Sequence, residues 1–358
     1  MSEPHGSRHG AADSSPRGAP YRPWVLVERA GYPESLHEGM LAVVDDEGRV
    51  RARWGDPSFA TFPRSSAKPL QALPLIETGA ADRFGLTPAQ IAVCCASHSA
   101  EPVHVEAVSA VLAAAGADPS VLHCGPHPPL HDESAKALVR RGEEPRRIHN
   151  NCSGKHAGMI ATSAHRGWDV PTYWRRDHPL QQEIQGLLGE LGRVPPESIA
   201  SGVDGCGVPA WYLPLEAIAG AAARVASARG GAGRWSDASV RVFDAMAAHP
   251  EMVAGTGRFD TELARAAERP LLAKGGAEGF HIVAWREDDG RGVALAAKAA
   301  AGDARSGDFA VIETLLQLGV IGDAARERLE RFHGGPIRNY AGEEVGRRRS
   351  LLDALRRD

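Results

Sequence analysis

Segments with the pattern of β-strands lie near both ends of the chain. Residues 24–28 and 39–48 are rich in apolar and β-branched side chains, and the second run ends in an Asp/Gly turn that leads into residues 50–54. Two more apolar runs, residues 279–285 and 292–298, flank a charged turn close to the other end. These patterns predict a hairpin at the N-terminal edge of a sheet and a core strand pair late in the chain.

Helical patterns fill the chain between these strand segments. Thr87, Pro88 and Gln90 form the signature of a helix start, with an N-cap, a proline at the first helical position and a reciprocal partner. The Ala-rich stretches 214–228 and 236–248 predict two further helices. Strands at both ends with helices between them predict an α+β fold, in which both chain ends form one mixed or antiparallel sheet around a helical middle region.

Composition and charge limit the possible classes of function. The chain has 358 residues, of which 43% are hydrophobic and 24% charged, and its formal net charge is -4. This balance is ordinary for a soluble globular protein and provides no basic surface for nucleic acid. No apolar run approaches the ~20 residues of a membrane span, and no apolar core of signal-peptide length is present. We therefore expect a cytoplasmic protein without nucleic-acid or membrane partners.

The length and the lack of a long linker predict a single composite catalytic domain over residues 23–342. Residues 1–22 are rich in Gly, Ser, Pro and His and predict a disordered tail. Residues 343–358 are charged and amphipathic, which predicts a surface helix or a frayed end. The five cysteines are an odd number in a chain without a secretion signal, so reduced thiols or metal ligands are expected rather than a disulfide framework.

A hydroxyl and an amine lie three residues apart in the Ser-Ser-Ala-Lys segment at residues 65–68. On a helix that begins here, this spacing places Ser65 and Lys68 on one face, and Pro69 is tolerated in the first turn. A serine hydroxyl becomes a nucleophile when a base takes its proton, and a lysine can be that base once burial or nearby positive charge has removed its own. The segment therefore predicts an acylating pair; the alternative is a capped, solvated helix start.

Two glycine-rich segments collect further reactive groups. Residues 150–159 contain amide, thiol, amine and imidazole side chains, and residues 202–209 place a thiol beside a carboxylate. Such composition is typical of a ligand site. Thiolate, imidazole and carboxylate are also the usual ligands of zinc, so spacing alone indicates a zinc site. The candidate ligands are Cys152, His156, Asp204 and Cys206.

Together with other motifs, these segments resemble the thermolabile, inducible asparaginase II family, which is related in fold to serine β-lactamases and glutaminases. The motifs occur in one order, at residues 34–37, 62–71, 95–99, 150–159, 202–209 and 254–261. The resemblance runs from about Val27 to about Tyr340. Ala100 departs from it, since glycine is expected after Ser99, and this departure concerns the backbone angle of that turn.

The resemblance implies a serine β-lactamase-like fold with two serine–lysine tandems around one pocket. One tandem is Ser65 with Lys68. The other is Ser97 with Lys274, which precedes two glycines and looks like the Lys-x-Gly element of that fold. The resemblance also implies a homodimer and a bound zinc ion with a structural or substrate-positioning role. The positions that match the metal ligands are Cys152, Lys155 and Cys206.

Five side chains are candidates to bind the substrate. Arg64 has the planar fork that suits bidentate binding of an α-carboxylate. Arg258 and Asp260 are candidates for the opposite charges of an amino acid. Asp204 lies beside the implied metal ligands, and His98 is either a substrate contact or a neutral structural histidine.

These features predict an amidohydrolase that converts L-asparagine to L-aspartate and ammonia through an acyl-enzyme on Ser65, with Lys68 as the base. By fold analogy, the oxyanion hole consists of the Ser65 N–H and a backbone N–H near Gly275 or Gly276. One alternative is another Ser-x-x-Lys acyl hydrolase of the same fold, acting on a β-lactam, a peptide or an ester. The other is a zinc-stabilised binding protein without catalysis.

Overall fold

The computed structural model describes residues 20–352 and residue 355. Its β-strands are β1 (Arg22–Arg29), β2 (Tyr32–Asp45), β3 (Val50–Trp54), β4 (Ala60–Thr61), β5 (Ala200–Val203), β6 (Pro209–Pro214), β7 (Leu271–Gly276), β8 (Phe280–Arg286), β9 (Gly292–Ala299), β10 (Ile337–Arg338) and β11 (Glu344–Ser350). Its α-helices are α1 (Lys68–Gln71), α2 (Leu73–Glu77), α3 (Ala80–Arg83), α4 (Pro88–Cys94), α5 (Pro102–Ala114), α6 (Asp132–Arg140), α7 (Ser153–Arg166), α8 (Pro179–Gly192), α9 (Leu215–Ala226), α10 (Ser236–Ala248), α11 (Pro250–Val253), α12 (Phe259–Ala266), α13 (Ala304–Gln317), α14 (Asp323–Arg328) and α15 (Glu330–His333). Short 3₁₀ turns lie at Arg64–Ala67, Pro119–Val121, Arg147–His149, Val170–Thr172, Pro196–Ser198 and Gly233–Trp235.

Both ends of the chain meet in one sheet, which confirms the predicted α+β class. Neighbouring strands lie in the order β10-β11-β1-β2-β9-β8-β7, and β3 pairs with β2. The pairs between these strands are all antiparallel. A small second sheet has the order β4-β6-β5. Of the two sheet types predicted, the structure therefore has the antiparallel one.

The large sheet is covered by helices on both faces, because its strands alternate between two hydrophobic clusters. In β2, Met40, Ala42 and Val44 belong to the cluster that contains residues of α4, α7, α8, α9 and α10. Leu41 and Val43 belong to the other cluster, with residues of α12 and α13. Successive side chains of a strand point to opposite faces, so one strand contributes to both clusters. A sheet buried on both faces holds its strand ends, and the side chains on them, in a rigid frame.

The C-terminal segment differs from the sequence prediction. Instead of a surface helix or a frayed end, residues 344–350 form β11 and pair with β1, in the register Val25 to Ser350. Leu352, just beyond it, is completely buried. The predicted boundary at residue 342 thus falls in the turn between β10 and β11. At the other end, β1 begins at Arg22, and residues 1–19 of the predicted tail lie outside the described residues.

Several local predictions can be compared with the structure. The hairpin predicted from residues 39–48 and 50–54 is formed, since β2 pairs antiparallel with β3, and β3 pairs with no other strand of the described sheet. The helix predicted after Lys68 divides at Ala72 into α1 and α2. The capping box at Thr87 and Gln90 is formed as predicted. All five cysteines are free and buried. No helix within the described part of the chain is long and apolar enough to span a bilayer.

Candidate active site

The nucleophile candidate Ser65 lies in the tight 3₁₀ turn that leads from β4 into α1. Arg64, directly before it, has a φ of 50°, the left-handed conformation that a non-glycine residue adopts only when the surroundings enforce it. Ser66 Oγ donates a hydrogen bond to the Lys274 carbonyl oxygen at 2.8 Å, which ties the turn to the end of β7. Ser65 itself is half-buried and lines a cavity. The turn therefore presents one hydroxyl to the cavity and uses the other for anchorage.

Lys68 is buried directly behind this turn. Its Nζ donates to Ser97 Oγ at 2.7 Å, to the Ala96 carbonyl oxygen at 2.7 Å and to Cys152 Sγ at 3.2 Å. Within the described residues, no hydrogen bond joins Lys68 to Ser65. The pairing of the implied tandems thus differs from expectation, since Ser97 contacts Lys68 rather than Lys274. The turn that carries Ser97 follows α4 and packs against Lys68, which brings the two together.

Lys274 is buried at the end of β7. Burial lowers the pKa of Lys274 to about 7, and the charge of Lys68 acts in the same direction against the opposing effect of Asp260. Its Nζ donates to the Gly275 carbonyl oxygen at 2.6 Å and lies 3.7 Å from Asp260 Oδ2. Asp260 also accepts from the Gly275 N–H at 2.9 and 2.8 Å. That N–H is therefore engaged, which removes Gly275 as the expected oxyanion donor.

Asp260 has partners that stabilise its charge. Burial alone would raise the pKa of Asp260, but the charge of Lys274 and the Gly275 N–H hold it below the ordinary value. Asp260 is thus an ionised carboxylate whose partners come from the protein itself. Because these partners already balance its charge, Asp260 is less suited to bind a substrate cation than the sequence alone indicates.

The predicted metal ligands come together in a buried cluster. Lys155 Nζ donates to Cys206 Sγ at 3.0 Å, and Cys152 Sγ contacts both Cys206 and Lys68. The contact with Cys206, together with the charges of Lys68 and Lys155, holds the pKa of Cys152 well below its usual range against the effect of burial. Burial would lower the pKa of Lys155, but the two thiols outweigh it and raise it. A thiolate beside an ammonium group is the resulting state.

The alternative zinc set from spacing alone is not assembled. No group of three or more His, Cys, Asp or Glu side chains in the described range is arranged to hold a metal ion. His156 Nδ1 is hydrogen-bonded to Tyr173 Oη at 2.5 Å, and burial lowers the pKa of His156 to about 4. Its Nε2 is buried without an aligned hydrogen-bond partner, although it lies close to Cys206. The other candidate set contains the amine of Lys155, which is not among these four residue types.

Arg64 and Asp204 pair with each other instead of facing the cavity. Arg64 Nε and Nη2 lie 2.9 and 2.7 Å from Asp204 Oδ1. Burial would raise the pKa of Asp204, yet the charges of Lys155 and Arg64 lower it overall. The ion pair links the nucleophile turn to the metal-ligand cluster. Both residues therefore act on the site from outside the cavity in this structure.

His98 has the structural role that the sequence left open. It is fully buried, its Nδ1 accepts from the Ala100 N–H at 3.1 Å, and its Nε2 donates to Ser153 Oγ at 2.9 Å. Burial lowers the pKa of His98 well below its usual value, so the ring is neutral. Ala100 has a φ of 56°, so the chain keeps the left-handed turn without the glycine that favours it.

A cavity of about 410 Å³ opens between the nucleophile turn and α13. Its polar lining includes Ser65, Ser97, Arg258, Asp260, His281 and Asp308. The last two were not predicted, because an Asp near a helix start and a His in an apolar strand both have ordinary structural explanations. A separate cavity of about 540 Å³ borders α5 and α6 and contains none of the predicted catalytic side chains. The candidate active site is therefore the cavity lined by Ser65.

A comparison with known protein families identifies the family of the chain. The family model for L-asparaginase II matches residues 25–350, which is nearly the whole chain. The chain belongs to the L-asparaginase II family. The resemblance stated from the motifs is thereby confirmed, and asparaginase-type amide hydrolysis is the class of reaction that this family name denotes. No individually curated protein matches the chain.

Proposed function

We propose that this protein hydrolyses L-asparagine to L-aspartate and ammonia. One observation carries the proposal: a single cavity presents the Ser65 hydroxyl together with the cation of Arg258 and two carboxylates. An α-amino acid amide offers a carboxamide, a carboxylate and an ammonium group, and this set of side chains is complementary to it. Membership of the L-asparaginase II family supports the same class of reaction.

In the proposed acylation step, Ser65 Oγ attacks the carboxamide carbon. Its proton passes through Ser97 Oγ to Lys68, because Lys68 Nζ contacts Ser97 and both serines line the cavity. The protonated amine returns the proton to the departing nitrogen, so that ammonia leaves and an aspartyl ester remains on Ser65. Water then hydrolyses the ester by the reverse proton path and releases L-aspartate. Together with this reaction, we propose that the chain has the serine β-lactamase-like fold expected from the sequence.

Lys274 supports this proton path from behind the cavity. Two buried ammonium groups repel each other, and Lys68 and Lys274 are close enough for this repulsion to lower the pKa of Lys274. The pair therefore favours one proton over two, and the lowered pKa makes Lys274 the group that gives up its proton near neutral pH. In this role Lys274 limits the positive charge beside the proton path without touching the nucleophile.

We also propose that Cys152, Lys155 and Cys206 hold a zinc ion. All three side chains are buried, Cys206 contacts both of the others, and two thiolates are usual ligands of zinc. None of the three lines the Ser65 cavity, and zinc, when bound, would supply a Lewis acid with a structural or substrate-positioning role. Lys155 binds a metal only in its uncharged form, so zinc affinity should weaken as the pH falls.

Elemental analysis of protein purified without chelator tests this metal site. We expect close to one zinc ion per chain in the wild type, loss of zinc in Cys152→Ala and retention in Cys94→Ala, which removes a buried thiol outside the cluster. Wild-type protein without zinc would contradict the proposal.

Ammonia release from L-asparagine tests the proposed reaction. We expect steady release by the wild type, a loss on the order of 10³-fold or more in Ser65→Ala, and no change in Ser58→Ala, an exposed serine. No release from asparagine or glutamine at high enzyme concentration would overturn the proposal, and hydrolysis of a chromogenic β-lactam would favour the alternative acyl hydrolase. The expected homodimer stays a prediction that light scattering can test.

A further inference from the structure

Asp308 is an acidic side chain at the cavity that lacks a cationic partner from the protein. It lies on α13, lines the cavity wall that also contains Phe332, and keeps 15% of its side-chain surface exposed. Within the described residues, no lysine or arginine pairs with it and no hydrogen bond to its carboxylate is formed. By contrast, Asp45 is held by Arg49 and Arg51 at 3.0 and 3.3 Å.

The neighbour of Asp308 is itself unsatisfied. His281 Nε2 lies 3.2 Å from Asp308 Oδ1, but the two are not aligned for a hydrogen bond, and Nε2 is buried without another partner. The His281 side chain is only 6% exposed and borders the same cavity. A buried ring nitrogen without a partner is costly, so a polar group from a ligand that reaches this part of the cavity can stabilise it by a hydrogen bond.

The chain holds His281 in this position from two sides. The ring of Phe259 meets the His281 ring edge-on, with centroids 5.3 Å apart. On the other side lies Gly307, inside α13, where a Cβ atom would come within 3.2 Å of His281 Nε2 and Cδ2. A glycine inside a helix destabilises it, by about 0.5–1 kcal/mol relative to alanine, and here it provides room for the ring. The packing of the fold therefore fixes the His281 ring next to Asp308.

We propose that Asp308, supported by His281, binds the α-ammonium group of the amino acid substrate and so selects α-amino acid amides over amides without that group. This inference rests on the proposed function and names the recognition element of the same cavity. Arg258 lines the same cavity, has no ion-pair partner in the described structure, and receives the α-carboxylate. The two charges thereby turn the carboxamide toward the wall of Ser65 and Ser97.

Asp308 suits this role better than Asp260 does. Asp260 already accepts two contacts from the Gly275 N–H and lies 3.7 Å from Lys274 Nζ, so its charge is balanced by the protein. Burial, and then the negative charge of Asp260, raise the pKa of Asp308 to about 8. Burial and a like charge destabilise the ionised form of this carboxyl group, so the charge of a bound cation stabilises that form strongly.

The test compares L-asparagine with succinamate, which has the same carboxamide and carboxylate but no α-ammonium group. Calorimetric titration of Ser65→Ala measures binding without turnover. We expect L-asparagine to bind about 30-fold or more tightly than succinamate, and we expect this ratio to fall to within about threefold in Ser65→Ala/Asp308→Asn. Ser65→Ala/Asp323→Asn, which changes an exposed carboxylate, should keep the full ratio.

The outcomes separate this inference from the proposed reaction. An unchanged ratio in the Asp308→Asn variant overturns the role of Asp308, as does binding of neither ligand. Preferential binding that depends on Asp308, in a wild type that releases no ammonia, supports the ammonium site and overturns the reaction. Because Asp308→Asn removes a buried carboxylate, its melting temperature should match or exceed that of Ser65→Ala, and His281→Gln serves as a second variant that should also reduce the ratio.

Discussion

Two buried ionisable side chains at the site have pKa values close to neutral pH. Burial and Asp260 raise the pKa of Asp308 to about 8, whereas burial and Lys68 lower the pKa of Lys274 to about 7. In each case the uncharged form avoids the free-energy cost of a buried charge. Groups with such shifts are concentrated at functional sites, because the ligand or the reaction supplies the missing partner.

The raised pKa of Asp308 predicts how substrate binding depends on pH. Four groups face Asp308: His281 from β8, Arg258 and Asp260 from the start of α12, and Asp303 from the N-cap of α13. Asp308 must be ionised to pair with an ammonium group, and at pH 6 it is protonated. The dissociation constant of L-asparagine for Ser65→Ala should therefore fall as the pH rises from 6 to 8, by at most about tenfold per unit.

Calorimetry across this pH range checks the expectation, with Ser65→Ala/Asp308→Asn as the comparison. That variant should lose most of the slope. A slope that persists unchanged would assign the pH dependence to other groups, foremost Lys274, whose positive charge below pH 7 also disfavours a cationic ligand.

The two lysines are distinguished by different kinetic effects. Lys68→Ala removes the proposed base and should lower kcat on the order of 10³-fold or more, while substrate still binds. Lys274→Ala should also lose activity, and its pH–rate profile should lose the limb near pH 7 that the Lys274 amine, with a pKa of about 7, contributes. Lys136→Ala, an exposed lysine paired with Glu133, is the matched control. If Lys274→Ala left rate and profile unaltered, Lys274 would have no part in the proton path.

Among the elements, the contact between β7 and the nucleophile turn decides the geometry of the site. A Cβ atom at Gly276 would lie 2.5 Å from the Pro63 carbonyl oxygen and 2.9 Å from Ser66 Oγ. Only glycine therefore lets the end of β7 approach the turn that carries Ser65. The hydrogen bond from Ser66 Oγ to the Lys274 carbonyl oxygen fixes the same approach.

Gly276→Ala should displace β7 from the nucleophile turn. Overpacking against backbone atoms should cost about 1–3 kcal/mol of unfolding free energy, and a shift near 1 Å should lower kcat/KM by about 100-fold. Gly186→Ala in α8 is the control, since nothing lies within 4 Å of its added Cβ, and it should be neutral or stabilising. Urea denaturation and ammonia release measure both effects; equal behaviour of the two variants would contradict the close-contact explanation.

At the scale of the whole molecule, the sheet joins the two chain ends through β1 and β11. Their register runs from Val25 opposite Ser350 to Glu28 opposite Arg347, and Arg347 Nε donates to Glu28 Oε2 at 2.9 Å. Leu352 is buried in the cluster that also contains α12 and α13. The helices that carry Arg258 and Asp308 therefore rest on a core that the C-terminal strand completes.

Removal of residues 343–358 should consequently destabilise the protein. The truncation leaves the β1 edge unpaired and removes Leu352, whose replacement alone should cost about 2–5 kcal/mol. Urea unfolding should show a larger loss for the truncated chain than for Leu352→Ala. A truncated protein with the unfolding free energy of the full chain would show that β11 adds nothing to the fold.

Local sequence patterns determined the elements that depend on neighbours in the chain. The apolar alternation of β2, β8 and β9 and the capping box at Thr87 are short-range properties, and the structure contains them. The sequence patterns did not predict β11, because a half-exposed strand with three consecutive arginines has little apolar signal. The motifs also identified Ser65, Ser97, Arg258 and Asp260 at the cavity, but not His281 or Asp308.

Only the tertiary structure decided how those residues pair. Arg64 and Asp204 are 140 positions apart, and Lys68 and Ser97 are 29 apart, so no local pattern records their contacts. Each polar side chain has several partners of suitable chemistry, and the packing of strands and helices selects among them by distance and burial. The sequence therefore determined which groups could do chemistry, whereas the fold decided that Asp308, rather than Asp260, is left without a protein partner at the cavity.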